Sequence, residues 1–146
     1  MNPGPIDLLI TEIQGKLLKA LARFESSLGR LPAMKDSVDS FSDQELGVYD
    51  EFMSRFARLT DIFLSRYVRA CVKRSDPAFR GSFRDSLDLA EKLGVIDSAN
   101  EWYGIRELRN RQAHEYEDED LLNLFRETLA QTDRIRSIKK AVTHAT

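Results

Sequence analysis

The sequence has few of the residues from which many functional sites are built. Of its 146 residues only Cys71 is a cysteine, and only His114 and His144 are histidines. A single thiol excludes an intrachain disulfide and is typical of a protein in a reducing cytoplasm. Only His114 lies in a patterned segment, so no cluster offers three metal ligands at a recognisable spacing. We therefore expect neither a metal site nor a cofactor.

Long apolar runs and an excess of charge of one sign are missing as well. No run of about 18 apolar residues occurs, so we expect no transmembrane helix. The start, Met1-Asn2-Pro3-Gly4-Pro5, leads into an amphipathic pattern, which predicts no signal peptide. A net charge of −2 gives no global attraction to nucleic acid, so any such binding needs a local patch. These features favour one cytoplasmic domain over residues 1–146.

Apolar residues recur at three- and four-residue steps, and no window alternates as a strand does. One stripe, from Ile6 to Leu28, predicts a first helix of about six turns. Ser42 and Glu45 form a capping box that begins a long second helix, which we expect to end near Arg74. The predicted core face of this second helix consists of Tyr49, Phe52, Met53, Phe56, Leu59, Phe63, Leu64, Tyr67, Val68 and Cys71.

Three further helices are predicted in the second half of the chain. The third covers about 83–93, and the fourth runs from about Ala99 into the segment 107–116. The acidic residues 117–120 suit the positive end of a fifth helix, which continues through Ile135 to a basic tail. We expect residues 139–146 to be frayed. The sequence therefore predicts an all-α, antiparallel up-and-down bundle of four to five helices.

The second helix also carries a basic face. Its members fall within about 80° of one another at about 100° per residue. They are Arg55, Arg58, Arg66, Arg69 and Lys73. Two interpretations remain open: a solvated face whose cations pair with acidic neighbours, or a track that contacts RNA or a protein partner.

The segment 107–116 combines a histidine with arginines at Arg106, Arg109 and Arg111. An imidazole titrates near neutral pH and a guanidinium pairs with phosphate oxygens, so together they suit chemistry on a phosphodiester. On an ideal helix, however, His114 and Arg109 point about 140° apart. Three arrangements would reconcile them: unwinding of the helix near His114, curling of the long arginine, or completion of the site by a second chain.

Each of these residues also has a structural interpretation. A lone histidine near a helix end is commonly a surface or capping residue. Tyr116 by itself would be a half-buried core residue with a hydrogen-bonded hydroxyl. The three arginines would most simply pair with nearby acids, namely Glu101, Glu107 or Glu115.

The run Arg109-Asn110-Arg111-Gln112-Ala113-His114-Glu115-Tyr116 resembles the Arg-x4-His-x-Tyr signature of the HEPN family. More specifically, it is similar to the HepT-like toxin of HEPN–MNT toxin–antitoxin pairs. The segments 83–94 and 102–110 are similar to the two central helices of that subfamily. With the helical pattern on both sides, the similarity covers most of the chain.

The resemblance implies a homodimeric, metal-independent endoribonuclease that is neutralised by a minimal nucleotidyltransferase antitoxin. Arg109 would bind the scissile phosphate, His114 would act as general base or acid, and Asn110 would orient it. Tyr116 matches the tyrosine that the antitoxin adenylylates in some pairs. Apart from the resemblance, we expect Arg106, Arg111 and the basic face to be candidate contacts for RNA or the partner. The alternative is a non-catalytic helical module that binds the nucleotidyltransferase.

Overall fold

The computed structural model describes residues 3–114 and 117–143. Within these ranges all regular secondary structure is helical and no strand occurs, which confirms the predicted all-α bundle. A π-helical segment, Ile62–Val68, joins α2 to α3, and a 3-10 turn, Val38–Ser40, lies between α1 and α2. The α-helices are α1 (Pro5–Arg30), α2 (Asp43–Asp61), α3 (Arg69–Ser75), α4 (Phe83–Lys92), α5 (Ala99–Arg111), α6 (Asp118–Ala130) and α7 (Thr132–Thr143).

Local sequence signals set the starts of the central helices. The Ser42 hydroxyl accepts a hydrogen bond from the Glu45 backbone N–H at 3.1 Å, and the Glu45 carboxylate accepts one from the Ser42 N–H at 2.9 Å. This is the predicted capping box, which satisfies two donors that the first turn leaves free. At α5 the Ser98 hydroxyl accepts from the Glu101 N–H at 3.2 Å. The polar caps therefore fix where α2 and α5 begin.

The core lies between α1, the α2–α3 run and α5, and large aromatic side chains fill it. Trp102 of α5 is buried against Phe63, with ring centroids 4.7 Å apart, and Tyr49 stacks on Phe125 at 4.6 Å. Burying a large apolar side chain contributes about 1.5–3 kcal/mol. Trp102 therefore anchors α5 against the π segment. None of the described helices is both long and apolar enough to cross a membrane.

The π segment corrects the prediction of a plain α-helix from 43 to about 74. From Leu59 to Cys71 the apolar core residues recur every four residues, as the pairs Phe63/Leu64 and Tyr67/Val68 illustrate. In an ideal α-helix this spacing would rotate the apolar face by about 120° over that stretch. A π-helix has more residues per turn, so it keeps the four-residue repeat facing the core.

The C-terminal elements differ from the prediction in two ways. The predicted fifth helix is two helices, because Gln131 leaves the helical conformation (φ −94°, ψ 5°) between α6 and α7. The expected fraying of the tail is wrong for residues 139–143, which are helical. Ile138 and Val142 are buried, and the Val142 carbonyl accepts a hydrogen bond from Gln14 at 3.3 Å. Packing against α1 therefore holds α7 in place.

Candidate functional site

The end of α5 positions the segment that carries Arg109 and His114. Ile105 and Leu108 are buried, which turns Arg109 and Asn110 towards the surface. The helix ends at Arg111, within the segment 107–116 into which it was predicted to run.

Tight turns follow, in which the His114 N–H donates to the Arg111 carbonyl at 3.2 Å. The Gln112 side chain donates to the Met53 carbonyl at 2.9 Å and fastens this turn to α2. The described chain unwinds before His114, as in the first of the three arrangements, but this unwinding does not bring His114 to the cleft of Arg109. Asn110 and His114 do not share a helical face, since only Asn110 belongs to α5.

His114 is exposed in a cleft of about 530 Å³ between the end of α5 and α6. The cleft has mixed charge, because Arg111 and Arg126 line it together with Asp120 and Glu127. Arg111 forms an ion pair with Glu127, which raises the pKa of the guanidinium further. Arg111 therefore forms an ion pair that links the end of α5 to α6.

Arg109 lies on the other side of α5. It forms an ion pair with Asp61, an acid that was not predicted from the sequence. Its Nε lies 3.2 Å and 3.3 Å from the two carboxylate oxygens of Asp61, and its Nη2 lies 3.1 Å from one of them. The Arg109 side chain is 26% exposed and that of Asp61 is 47% exposed. This is a forked, partly solvated ion pair. For Arg109 and Arg111 the predicted partners Glu101 and Glu107 are wrong, since both arginines pair across helices.

Around Arg109 lies a cleft of about 610 Å³ between α1, α2 and α5. Cations dominate its lining, and among the described residues Asp61 is the one carboxylate that borders it. We call this the basic groove, and its cations are Lys16, Lys19, Arg23, Arg58, Arg66 and Arg109. The α1 members were missed, although their three- and four-residue spacing would have placed them on one face.

Arg109 and His114, the two residues that the sequence placed in one short segment, therefore border different clefts of the chain. Arg109 lines the basic groove, whereas His114 lines the cleft beside α6. Asn110 lies on the Arg109 side, where its side chain accepts a weak hydrogen bond from Arg106 Nε at 3.4 Å. Asn110 is thus brought together with Arg106 and Arg109, and not with His114.

The predicted basic face of the second helix is divided in the structure. Arg55 donates to the Arg23 carbonyl and the Ser27 hydroxyl, each at 2.9 Å, and so fastens α1 to α2. Arg58 and Arg66 line the basic groove. Because the π segment changes the rotation of the residues after it, Arg69 and Lys73 face a third cavity, beside α4.

Three residues considered in the sequence, Glu115, Tyr116 and His144, lie outside the described residues. In residues 3–114 and 117–143, no group of three histidine, cysteine, aspartate or glutamate side chains is arranged to hold a metal ion. Cys71 is buried, and burial raises the pKa of its thiol, so it is a core residue and not a nucleophile.

Comparison of the chain with family models, with curated proteins and with solved structures finds no match.

Proposed function

We propose that this protein is the toxin of a HEPN–MNT toxin–antitoxin pair and cleaves RNA without a metal ion. One observation carries the proposal: the arginine of the signature opens into a groove lined by further cations, in a chain whose net charge is −2. Clustered cations create a local positive potential that attracts a polyanion. A phosphodiester backbone supplies that charge, and the signature supplies groups for its cleavage.

The proposed reaction is transesterification within the RNA strand. The 2′-hydroxyl oxygen attacks the adjacent phosphorus, and the bond to the 5′-oxygen of the next nucleotide breaks. A base takes the 2′ proton and an acid returns a proton to the leaving oxygen, which gives a 2′,3′-cyclic phosphate and a 5′-hydroxyl. Arg109 would neutralise the phosphate as negative charge builds up on it, and His114 would transfer protons.

A symmetric homodimer completes this proposal. Each protomer offers one signature histidine, so base and acid can act together only if two copies of His114 meet. Exposure of His114 on a turn beyond α5 supports this arrangement, because a partner can approach it. In the dimer, the two copies of His114 would transfer the protons. Arg109 would contact the phosphate from the basic groove of either protomer.

The antitoxin would be a minimal nucleotidyltransferase, and both proteins would act in the cytoplasm. Transfer of AMP to Tyr116 would add a phosphate and a base two residues from His114, in competition with RNA for the arginines. The exposed acids at the start of α6, Asp118 to Asp120, favour a basic surface on the partner.

A second candidate is the non-catalytic module that binds a nucleotidyltransferase. Two features favour it: Asp61 already neutralises Arg109, and Arg109 and His114 border different clefts of one protomer. A module of this kind would need neither an accessible arginine nor a composite site.

RNA cleavage in EDTA distinguishes the two candidates. Wild type is compared with Arg109→Ala, His114→Ala and a control that removes one cation elsewhere, Lys139→Ala on α7. We expect cyclic-phosphate ends from wild type and the control. Loss of proton transfer should slow the His114 variant by about 10²–10⁴-fold.

The dimer mass and folded state of each variant are checked in parallel. Cleavage that persists in both site variants would contradict the assignment of the site. Absence of cleavage by a wild type whose intact mass excludes bound AMP would favour the binding module.

A further inference from the structure

A third cavity, of about 430 Å³, shares no lining residue with the basic groove or with the cleft of His114. It is bounded by α3, by the connection 76–82, by the start of α4 and by Arg106 of α5. Its size lies within the range of pockets that hold small ligands. We call it the α3–α4 cavity.

Positive charge concentrates in this cavity. Arg69 and Lys73 come from α3, Arg80 from the connection and Arg106 from α5. Among the described residues, no carboxylate lines the cavity and none forms an ion pair with these four cations. The nearby Asp85 carboxylate accepts the Ser82 backbone N–H at 2.9 Å as a helix cap. Four like charges from three elements repel one another, so an anion would stabilise the cavity.

The remaining wall of the cavity is apolar. Leu64 and Val72 are buried, whereas Phe79 and Phe83 are half-buried. The Arg106 guanidinium lies over the Phe83 ring, 4.4 Å from its centroid, and is thereby held at the cavity. This wall suits a flat or apolar group attached to the anion.

The connection that borders the cavity is closely packed at Gly81. A Cβ at Gly81 would lie 2.7 Å from the Phe79 ring and 2.7 Å from the Asp85 side chain. Glycine is therefore required for the connection to lie against this ring. Gly81 therefore allows the Phe79 ring to lie close to the connection at the edge of the cavity.

We propose that the α3–α4 cavity binds a phosphorylated ligand of nucleotide size. Its phosphates would contact the arginines and Lys73, and its base would pack on the apolar wall beside Phe79. Guanidinium groups bind phosphate through paired donors, and several cations favour a ligand with more than one phosphate charge. The same chemistry suits a free nucleotide or one nucleotide of an RNA strand.

Calorimetric titration of the intact protein with ATP, AMP and inorganic phosphate tests the proposal. The variant Arg69→Gln/Lys73→Gln removes two cations of the cavity. Its matched control, Lys92→Gln/Lys139→Gln, removes the same charge from exposed positions that line neither this cavity nor the basic groove. We expect ATP to bind more tightly than AMP, and AMP more tightly than phosphate. The cavity variant should weaken ATP binding roughly tenfold or more, and the control should not change it.

Failure of wild type to bind ATP would overturn the proposal, and so would equal weakening by both double variants. Arg80→Gln, on the exposed connection, provides a second test if the double variant unfolds. Phe79→Ala should weaken the binding of ATP more than the binding of pyrophosphate, which has no base to pack on the ring. A short single-stranded RNA added as competitor identifies the source: displacement of ATP assigns the cavity to the strand, and retention of ATP assigns it to a free nucleotide.

Discussion

At Arg109 the Asp61 carboxylate already occupies donors that an RNA phosphate would use. The pair is forked but partly solvated, and ion pairs of this kind stabilise a protein by about 0–1 kcal/mol. If the proposed function holds, a phosphodiester would therefore displace Asp61 at small cost.

Asp61→Asn is predicted to tighten RNA binding. The variant removes the competing charge and keeps the shape of the side chain. We expect the dissociation constant for single-stranded RNA to fall a few-fold, and thermal stability to change by no more than about 1 kcal/mol. Fluorescence anisotropy measures the affinity, and Asp97→Asn, which breaks the Arg134–Asp97 ion pair elsewhere, is the control. Unchanged affinity would mean that Arg109 does not contact the strand.

Tyr67 is predicted to make the fold sensitive to alkali. Burial raises the pKa of its phenol from 10.0 to about 12, and its hydroxyl has no hydrogen-bond partner among the described residues. Between these two values the unfolded chain loses the phenolic proton while the folded chain retains it. The free energy of unfolding therefore falls as the pH rises from about 10 to about 12.

We expect Tyr67→Phe to lose less stability than wild type across that range, and to be at least as stable at pH 8, because an unpaired buried hydroxyl is removed. Urea denaturation at several pH values measures both effects. Tyr103→Phe, at an exposed tyrosine, should behave as wild type does. Parallel curves for wild type and the Tyr67 variant would refute the prediction.

At the scale of elements, the π segment Ile62–Val68 governs which side chains face which cleft. It accommodates a four-residue apolar repeat that an α-helix would rotate away from the core. The same change of rotation separates Arg58 and Arg66 from Arg69 and Lys73.

Deletion of Ser65, an exposed residue of the π segment, is predicted to be tolerated. Removing one residue there restores α-helical spacing and leaves both flanking faces directed at the core. Deletion of the exposed Ser54 in α2 should instead rotate one flank by about 100° and bury polar side chains, which would prevent cooperative folding. Circular dichroism and thermal unfolding compare the two, and similar damage from both would contradict this account of the segment.

At the scale of the whole molecule, a net charge of −2 coexists with concentrated local positive charge. The basic groove gathers cations from α1, α2 and α5, which are distant in sequence. Binding of a polyanion therefore depends on tertiary placement and not on overall charge.

Arg58→Gln/Arg66→Gln is predicted to weaken binding of single-stranded RNA roughly tenfold or more and to lower its salt dependence. Each lost phosphate contact should reduce the slope of log K against log salt by about 0.7. The control, Lys92→Gln/Lys139→Gln, removes equal charge from exposed positions outside the groove. Equal losses in both variants would indicate general electrostatics in place of a groove. The measurement is affinity at several salt concentrations.

Local sequence was sufficient to predict the helices but insufficient to predict which charged side chains pair at the site. The cap at Ser42 and the apolar repeats predicted the helices, because hydrogen bonding and periodicity act within a few residues. The partners of Arg109 and Arg111 could not be predicted, since Asp61 and Glu127 approach from other helices.

The sequence by itself determined the all-helical class, the core faces and the segment in which Arg109 and His114 lie five residues apart. Only the tertiary structure decided that these two residues open into different clefts, that Asp61 holds Arg109, and that the basic face is divided. The physical reason is that periodicity and capping are local, whereas pairing of charges across helices depends on how the helices are rotated and packed. A single π segment changes that rotation for every residue after it.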